Sequence, residues 1–470
     1  MSIRNIKQFA ACCLLLLLAE KATGPCPAFR LCVDTVKKER LLPSHGSKPG
    51  ASAGGGFVKI LILNAGSSSQ KSRLYDLADP LPDQPPPPLW EADADWSEQQ
   101  GRTELQITTA HGQVQKEQLQ TDRRPELIEH FLQTLWSGAT QVIARPEDID
   151  IVGHRVVHGG PEYRETTSIT PAVKAAIKQW AVLAPAQNPA NLEGIEAIER
   201  ILPTVPQVAV FDTAFHRSLP LPAVVYPGPY EWFEQGIRRY GFHGISHSYC
   251  AHRAAQILGK EFPEKNVHAP ALRLITCHLG NGCSLAAIRD GISIDTTMGF
   301  TPLEGLMMGS RSGTVDPGIL TFLLRQKGYS AEQLETTLNK ASGLQGISGI
   351  SSDMRQILQA RSEGNTRAML AFDIYVHRLR SFIGAMLATL GGVDALVFAG
   401  GIGEHAADVR AGACEGFEFL GLQLDPEKNA HAAADQDIAS PNSAVRVVVV
   451  QTQEDWEIAK ACWNVAKTLS

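Results

Sequence analysis

Three glycine-rich turns that follow predicted β-strands carry residue types able to hold a phosphate group. They are Asn64-Ala-Gly-Ser-Ser-Ser69, Gly280-Asn-Gly282 and Gly400-Gly-Ile-Gly-Glu404. Small residues leave backbone N–H groups open, and these can surround phosphate oxygens together with serine hydroxyls. A single such turn is weak support, because glycine in a turn usually serves backbone geometry alone. Three of them at strand ends favour a nucleotide cleft, although the G-x-x-x-x-G-K-[ST] pattern of a P-loop does not occur.

Arginine and histidine side chains lie beside glycine on three separate segments. One such residue is more often a structural hydrogen-bonding group than a ligand-binding group. Its recurrence indicates cations that converge on an anionic ligand, because guanidinium and imidazole groups bind carboxylates and phosphates well. The residues are His154, Arg155 and His158, then His243 and His247, and finally Arg311.

The elements that must position these residues are short apolar strands and amphipathic helices. Two strand–turn–strand units, 58–64 with 72–75 and 272–276 with 284–288, predict two similarly built halves. Further strands are predicted at 149–153, 207–211, 394–399 and 445–450, and helices at 125–136, 171–183 and 454–469. The proline-rich segment 79–88 is predicted as an exposed loop, since proline cannot serve a central strand. The pattern indicates a mixed α/β protein with two sheet-centred domains and a cleft between them.

Charge is distributed unevenly along the 470 residues. Lys plus Arg is 43 and Asp plus Glu is 49, a formal net charge of −6. Residues 1–56 contain eight basic and three acidic residues, so this segment is +5 and the remainder is −11. The chain lacks the basic excess typical of nucleic-acid-binding proteins, and we expect no nucleic-acid partner.

The first 56 residues contain a basic start followed by an apolar run at 9–19, which formally fits a secretory signal. The run is shorter than the roughly 20 residues needed to span a bilayer, so we expect no membrane partner. The preferred interpretation is a disordered extension or a misassigned start, with Val58 as a possible initiator; organelle targeting and secretion remain alternatives. The nucleotide chemistry of the body and its five scattered cysteines favour a cytoplasmic protein with reduced thiols.

Several motifs, in order along the chain, resemble the signatures of the acetate kinase family. The most specific are Asn64-Ala-Gly-Ser-Ser-Ser-x-Lys71, Gly153-His-Arg-Val-Val-His-Gly-Gly160 and Tyr240-Gly-Phe-His-Gly-Ile-Ser-His247. His278-Leu-Gly-Asn-Gly282, Thr296-Thr-Met-Gly299 and Gly400-Gly-Ile-Gly-Glu404 fit the same family. The resemblance covers about residues 57–470.

The resemblance implies the two-domain actin/Hsp70/sugar-kinase-like fold, with ATP bound in the interdomain cleft and usually a homodimer. On this basis we expect an N-terminal domain at 57–211, joined by the closing helix 456–470. The C-terminal nucleotide-binding domain would then span 212–455.

The reaction that the resemblance implies is reversible, direct in-line phosphoryl transfer from ATP to acetate, giving acetyl phosphate and ADP, with Mg²⁺ as the metal and Mn²⁺ as the alternative. A carboxylate is already ionised at neutral pH, so no general base is needed to make the nucleophile. The site has instead to bring two anions together and stabilise charge on the phosphoryl group. That task explains a site rich in arginine, histidine and asparagine.

The family match also assigns roles to individual residues. Arg155 would bind the acetate carboxylate, while Arg311 and His243 would hold the transferring phosphoryl group. Asp212 would orient an arginine or the metal shell. Val157 and Pro302 would form the pocket for the acetate methyl group with Phe242 nearby, although ordinary packing explains Val157 equally well.

The remaining matched positions concern nucleotide and metal. Asn64 and Glu454 would be associated with Mg²⁺, and Ser67, Ser69 and Lys71 would surround the phosphates. The nucleotide-binding positions are His278, Leu279, Gly280, Asn281, Gly282, Asp353, Met354, Arg355, Gly401, Ile402, Gly403, Glu404 and His405.

One departure from the family pattern concerns the catalytic set. Gln187 stands where the family typically has a histidine that stabilises the transition state. Glutamine can donate a hydrogen bond but cannot carry a positive charge, so we expect altered phosphoryl stabilisation.

Two alternatives stay open on the sequence. The first is the same chemistry on propionate or butyrate, because one methylene in an apolar pocket discriminates by only about 1–3 kcal/mol. The second is a non-kinase ATPase of the same fold, such as a chaperone or filament protein. That role would not require the acid-binding set of Arg155, Arg311 and His243, which therefore favours the enzyme.

Overall fold

The computed structural model describes residues 57–66, 69–95, 101–262 and 271–469, so the expectations for residues 1–56 lie outside the described residues. Its strands are β1 (Val58–Ala65), β2 (Ser69–Leu77), β3 (Trp90–Asp95), β4 (Thr103–Thr109), β5 (Val114–Leu119), β6 (Ile151–Val156), β7 (Thr167–Ser168), β8 (Gln207–Phe211), β9 (Arg273–Leu279), β10 (Cys283–Arg289), β11 (Ile292–Thr296), β12 (Ala395–Ala399), β13 (Gln436–Asp437) and β14 (Arg446–Val449).

The helices are α1 (Arg124–Trp136), α2 (Pro171–Gln179), α3 (Asn188–Ile201), α4 (Leu221–Val224), α5 (Tyr230–Glu234), α6 (Gly244–Ile257), α7 (Pro317–Gln326), α8 (Ala331–Lys340), α9 (Gly343–Ser348), α10 (Met354–Ser362), α11 (Thr366–Leu390), α12 (Gly400–His405), α13 (Ala407–Cys414), α14 (Pro426–Ala430) and α15 (Glu454–Leu469). Short 3₁₀ helices lie at Pro146–Asp148, Trp180–Val182, Ala214–Ser218 and Glu418–Leu420.

The first sheet has eight strands in the order β5-β4-β3-β2-β1-β6-β8-β7. β1 pairs antiparallel with β2, and β1, β6 and β8 run parallel at its centre. The apolar run of β1 is buried, as expected for a strand in the parallel part of a sheet that is covered on both faces. Because parallel strands end at the same edge, this sheet brings the residues that follow β1, β6 and β8 together.

The second sheet has six strands in the order β11-β10-β9-β12-β14-β13. Here β9 pairs antiparallel with β10, and β9, β12 and β14 run parallel. In each sheet the first strand of a hairpin is also one of three parallel strands. The predicted repetition of one pattern in two halves is therefore confirmed.

The helices α6 and α15 share one buried apolar cluster with residues of both sheets. The α15 residues Trp456, Ile458 and Cys462 are buried there with Ile60 and Ile62 of β1. A Cβ atom on Gly153 of β6 would lie 2.5 Å from Cys462 Sγ, so only glycine allows the helix this close to the strand. The closing helix thus packs on the central strands β1 and β6 of the first sheet.

Three local predictions were wrong in detail. The helix predicted at 171–183 ends at Gln179, and Trp180–Val182 continue as a 3₁₀ turn. His154 and Arg155 lie within β6 and not beyond it, because β6 stays paired with β8 as far as Val156. Gly400 to Glu404 form the start of α12 instead of an open turn; the positive φ of Gly400, 74°, lets the chain pass directly from strand to helix.

Five cysteines occur in the described residues, and all of them are buried and free of disulfides, which confirms the expectation of scattered reduced thiols. The segment 79–88 is an irregular loop, as predicted. Within the described ranges, no helix combines the length and the apolar character that crossing a bilayer requires.

Candidate active site

Asn64, Arg155 and Asp212 meet at the carboxyl edge of the first sheet. In the parallel register, Leu63 lies opposite His154, and Val156 lies opposite Phe211. Asn64, Arg155 and Asp212 therefore lie close together near the carboxyl ends of their strands. Arg155 Nε lies 3.1 Å from both carboxylate oxygens of Asp212, and Nη2 lies 2.7 Å from Oδ2. Arg155 Nη1 donates to Asn64 Oδ1 at 3.2 Å. Asp212 therefore holds one edge of the guanidinium, and the other edge faces Asn64.

The N-terminal end of α15 brings two carboxylates to the same point. Asn64 Nδ2 donates to Asp455 Oδ1 at 2.9 Å and to Glu454 Oε2 at 3.4 Å. Arg155 Nη1 lies 3.5 Å from Glu454 Oε2. Acidic side chains are favoured in the first turn of a helix, where the backbone dipole is positive. Sequence analysis matched Glu454 but missed Asp455, which its position in the same first turn could have indicated.

Burial and pairing set the charges of this cluster. Burial raises the pKa of Asp212, and the adjacent Arg155 opposes that rise. Burial raises the pKa of Glu454, but Arg155 and His278 outweigh it, so the pKa lies below its usual value. For Arg155, burial lowers the pKa, yet the carboxylates of Asp212 and Glu454 raise it above the ordinary value. The guanidinium is consequently a permanent cation held between anionic groups.

The donor set of Asn64, Glu454 and Asp455 fits a hard divalent cation. Carboxylate and amide oxygens suit Mg²⁺, which usually keeps several waters and takes its remaining ligands from substrate phosphates. In the described ranges, no group of three or more His, Cys, Asp or Glu side chains is arranged to hold a metal by itself. These three residues would therefore hold the ion jointly with a nucleotide and water.

A second group of polar side chains, His243 and Arg311, lies where α6 begins. His243 has a left-handed backbone, with φ of 57°, and Gly244 N donates to Asp212 O at 2.8 Å. Arg311 Nη1 donates to Pro302 O at 2.9 Å. A Cβ atom on Gly282 would lie 3.3 Å from Arg311 Nη1 and 3.5 Å from His243 Nε2. The glycine turn after β9 therefore runs directly past the Arg311 guanidinium and the His243 imidazole.

The histidines His243, His247 and His278 lie around this turn and its supporting strands. The rings of His243 and His278 lie 4.3 Å apart, and burial keeps the pKa of each below the ordinary histidine value. His278, Arg155, His247 and Arg311 lower the pKa of His243 further by charge repulsion. The imidazole of His243 is therefore neutral at pH 7, and it can act as a hydrogen-bond donor without carrying charge.

A cavity of about 480 Å³ opens beside the Gly280–Asn281 turn. Gly280, Asn281, Asp353, Met354, Arg355, Gly401, Ile402 and His405 line it, together with Ser352, Leu358 and Ala406, which sequence analysis missed. Its apolar wall with few polar groups is typical of a small-ligand pocket. Three segments that sequence analysis matched to nucleotide binding thus come together around one cavity.

Other predicted positions lie outside that cavity wall. His278 and Leu279 are inside β9, and Gly403 is buried in α12. Glu404 accepts a hydrogen bond from Gly400 N at 3.0 Å through its Oε1. This contact gives Glu404 a supporting position at the strand-to-helix passage.

The predicted phosphate-binding residues are only partly described. Ser67 lies outside the described residues. Ser69 begins β2, and its backbone oxygen accepts a hydrogen bond from Gly66 N at 2.9 Å. Lys71 is exposed and directly opposite Asn64 in the β1–β2 hairpin, so its side chain stands next to the carboxylate cluster.

The predicted substrate pocket joins Val157 and Phe242 in one buried apolar cluster. Val157 N donates to Asn191 Oδ1 at 3.2 Å, which ties the end of β6 to α3. Gln187 is half-buried at the start of α3, one residue before Asn188, whose amide binds the backbone of His158. Gln187, the residue that differs from the family pattern, therefore lies at the start of the helix that binds the Val157 segment.

Comparison with known proteins fits this geometry. The model of the family described as the acetokinase family matches residues 59–460. An acetate kinase of Cyanothece sp. (strain PCC 7425 / ATCC 29141) is 60% identical over 413 residues, which are 88% of this chain and all of that protein.

Two solved structures are also similar. The Porphyromonas gingivalis acetate kinase is 40% identical with a TM-score of 0.77, covering 87% of this chain and 99% of its own. A propionate kinase from Francisella tularensis subsp. tularensis SCHU S4 is 37% identical with a TM-score of 0.77 and the same coverage. These proteins have the actin/Hsp70/sugar-kinase-like fold, so the predicted fold class is confirmed. The chain belongs to the acetokinase family.

Proposed function

We propose that this protein is an ATP:acetate phosphotransferase that reversibly forms acetyl phosphate and ADP by direct in-line transfer. The observation that carries the proposal is the pairing of Arg155 with Asp212 beside the His243–Arg311 group. A buried, permanently charged guanidinium suits an acceptor that is itself an anion. A nucleotide cavity lies at the same glycine turn.

In this mechanism the protein supplies position and charge. Arg155 would bind the acetate carboxylate, and Asp212 would keep the guanidinium in the orientation needed for attack. His243 Nε2–H and Arg311 would hold the oxygens of the transferring group, where negative charge develops. Glycines 280 and 282 would let the nucleotide phosphates approach the backbone. Bound Mg²⁺, near Asn64, Glu454 and Asp455, would neutralise phosphate charge.

The test is acyl phosphate formation by the full-length chain with Mg-ATP, trapped as the hydroxamate. Acetate, propionate, butyrate and glucose are compared as acceptors. We expect acetate to give the highest kcat/KM. Turnover on glucose alone, or turnover that does not depend on an acid, would contradict the proposal, whereas a higher kcat/KM for propionate would favour the second candidate.

Propionate is that second candidate because one similar solved structure is a propionate kinase. The acetate kinase of Cyanothece sp. shares more of the sequence, 60% against 37%. We therefore assign acetate as the main substrate. The pocket residues Val157, Phe242 and Pro302 are the positions at which this preference would be set.

We also propose a homodimer formed through α7. No residue of this helix is buried, although Ile319, Phe322 and Leu324 are large and apolar. Exposed apolar clusters of this kind mark interaction surfaces. Analytical ultracentrifugation should give twice the chain mass, and Phe322→Glu should give a monomer. A monomeric unsubstituted protein would contradict the proposed homodimer.

We place the protein in the cytoplasm, because its five buried free thiols and its need for ATP favour that compartment.

A further inference from the structure

A continuous line of hydrogen bonds extends from His243 into the core. His243 Nδ1 lies 2.8 Å from Ser284 Oγ, and the same hydroxyl lies 2.8 Å from His247 Nε2. His247 Nδ1 lies 2.7 Å from Thr276 Oγ1. Ser284, His247 and Thr276, called the relay below, are all buried.

The backbone around His243 is already fixed without the relay. Gly244 N donates to Asp212 O, and His216 Nε2 donates to the Phe242 carbonyl at 3.1 Å. A Cβ atom on Gly244 would lie 2.2 Å from Asp212 O, so this segment cannot shift easily. What remains to be fixed is the ring of His243 and the nitrogen that carries its proton.

Proton counting leaves two cases for His243, according to whether Ser284 donates to its Nδ1 or accepts from it. A serine hydroxyl donates one hydrogen bond, and a neutral imidazole has one N–H. If Thr276 donates to His247 Nδ1, then His247 Nε2–H donates to Ser284 and Ser284 donates to His243 Nδ1. The proton of His243 is then on Nε2. If Ser284 instead accepts from His243 Nδ1–H, whichever way the bond between Ser284 and His247 runs, His243 Nε2 is a bare lone pair.

The surroundings of Nε2 select between these arrangements. Nε2 and Arg311 Nη1 face the same point, 3.5 Å and 3.3 Å from the Cβ position of Gly282. Under the proposed function the group that binds there is the transferring phosphoryl, an anion that suits a guanidinium. A lone pair on Nε2 would repel that anion, while an N–H would donate to it.

We infer that Ser284, His247 and Thr276 are positioning residues that hold neutral His243 in its Nε2–H tautomer, ready to donate to the phosphoryl group. This inference rests on the proposed function for the identity of the anion. The tautomer itself is a property of the protein without substrate. At metal-binding histidines, removing the partner that fixes the tautomer typically costs about 10- to 100-fold in affinity or activity, and we expect a loss of that order here.

The direct test is nitrogen NMR of the full-length protein labelled with ¹⁵N-histidine, with His243 assigned by its loss in His243→Gln. We expect a one-bond N–H coupling at Nε2 in the unsubstituted protein and its partial transfer to Nδ1 in Ser284→Ala. A His243 proton on Nδ1 in the unsubstituted protein overturns the inference. An unchanged tautomer in Ser284→Ala also overturns it.

The kinetic test uses a matched pair at Thr276. Thr276→Val keeps the side-chain volume but removes the donor, and kcat should fall about tenfold with KM for both substrates nearly constant. Thr276→Ser retains the hydroxyl and should restore both the tautomer and kcat. Equal losses in the two variants would mean a packing role and would overturn the inference.

A double substitution completes the test. Once Ser284→Ala has broken the line, adding Thr276→Val should cost almost nothing further, while independent packing effects would add. If Ser284→Ala fails to fold, the Thr276 pair decides the question by NMR and kcat. An unsubstituted protein without acid-dependent turnover would refute the proposed function, and the NMR result would still decide the tautomer.

Discussion

Arg155 and Asp212 form a bidentate ion pair across the ends of two parallel strands, with contacts of 2.7–3.1 Å. The arginine comes from β6 and the aspartate directly follows β8. Both side chains are buried or nearly so, and the guanidinium cannot turn without leaving the carboxylate unpaired. The orientation of the proposed acetate-binding group is thus built into the sheet.

The first prediction concerns this pair. Asp212→Asn keeps the shape of the side chain but places an amide donor or a neutral oxygen against the guanidinium. Arg155 should then turn toward Glu454, 3.5 Å away. We expect kcat/KM for acetate to fall on the order of 100-fold, as for a misplacement of about 1 Å. Steady-state kinetics with acetate as the varied substrate measures the loss.

The matched control is Asp148→Asn. Asp148 pairs with Arg145 at 3.2 Å on the surface, where Arg145 is 72% exposed. Removing a surface pair changes little, so activity should be retained. If Asp212→Asn and the unsubstituted protein had equal kinetics, Asp212 would not be part of the active site.

The second prediction concerns Gln187. Gln187→His restores a group that can carry positive charge at the start of α3. We expect kcat to rise, because charge on the phosphoryl group would be better stabilised in the transition state. Gln187→Ala should lower kcat. An unchanged or lower rate in Gln187→His would show that the side chain does not reach the transferring group.

The third prediction uses a steric contact beside the nucleotide cavity. A Cβ atom on Gly309 would lie 2.1 Å from Asn281 Oδ1, so Gly309→Ala must displace that side chain. KM for ATP should rise about tenfold or more, since Asn281 lines the cavity, while KM for acetate should change little. Isothermal titration with ADP and steady-state kinetics separate the two effects.

Gly384→Ala is the control for that substitution. Gly384 lies inside α11, and a Cβ atom there would meet nothing within 4 Å. Alanine is favoured over glycine in a helix by up to about 1 kcal/mol, so stability should rise slightly and both KM values should stay the same. A rise in KM for acetate equal to that for ATP in Gly309→Ala would indicate a general disturbance.

The fourth prediction concerns stability against pH. Burial lowers the pKa of His154, His158 and His216 to about 4. In the unfolded chain these groups titrate near 6.5, so between pH 6.5 and 4 the unfolded state binds more protons. The free energy of unfolding should therefore fall as pH decreases through this window, by about 1.4 kcal/mol per pH unit for each histidine. Above pH 6.5 these groups should add no pH dependence.

Urea unfolding at several pH values between 8 and 5 measures this slope. His154→Gln should make the slope shallower, because one of the imidazoles whose pKa is lowered by burial is gone. The exposed His111 gives the control, and His111→Gln should leave the slope unchanged. An unchanged slope in His154→Gln would contradict the assignment of this pH dependence to the buried histidines.

The sequence by itself determined the two hairpins, the central parallel strands, two of the three glycine turns and the family, whereas β3, β4, β5, β7, β11 and β13 were not predicted. Apolar runs that end in glycine, asparagine and serine specify both hairpins locally, because turn chemistry and hydrophobic period act over only a few residues. The order of the specific motifs then indicated the two-domain fold. The matched cations and nucleotide segments followed from those motifs, and their catalytic roles remain proposals.

Only the tertiary structure decided which side chains meet. Asn64 contacts Arg155 across 91 residues of chain, and it contacts Asp455 across 391. Those contacts depend on the register of parallel strands and on where α15 packs, which no local pattern encodes. The cavity proposed for the nucleotide, formed by three distant segments, and the hydrogen bonds from His243 to Thr276 arise in the same way. The local residue types determine which chemistry is available, and long-range packing determines which of these groups lie close enough together to perform it.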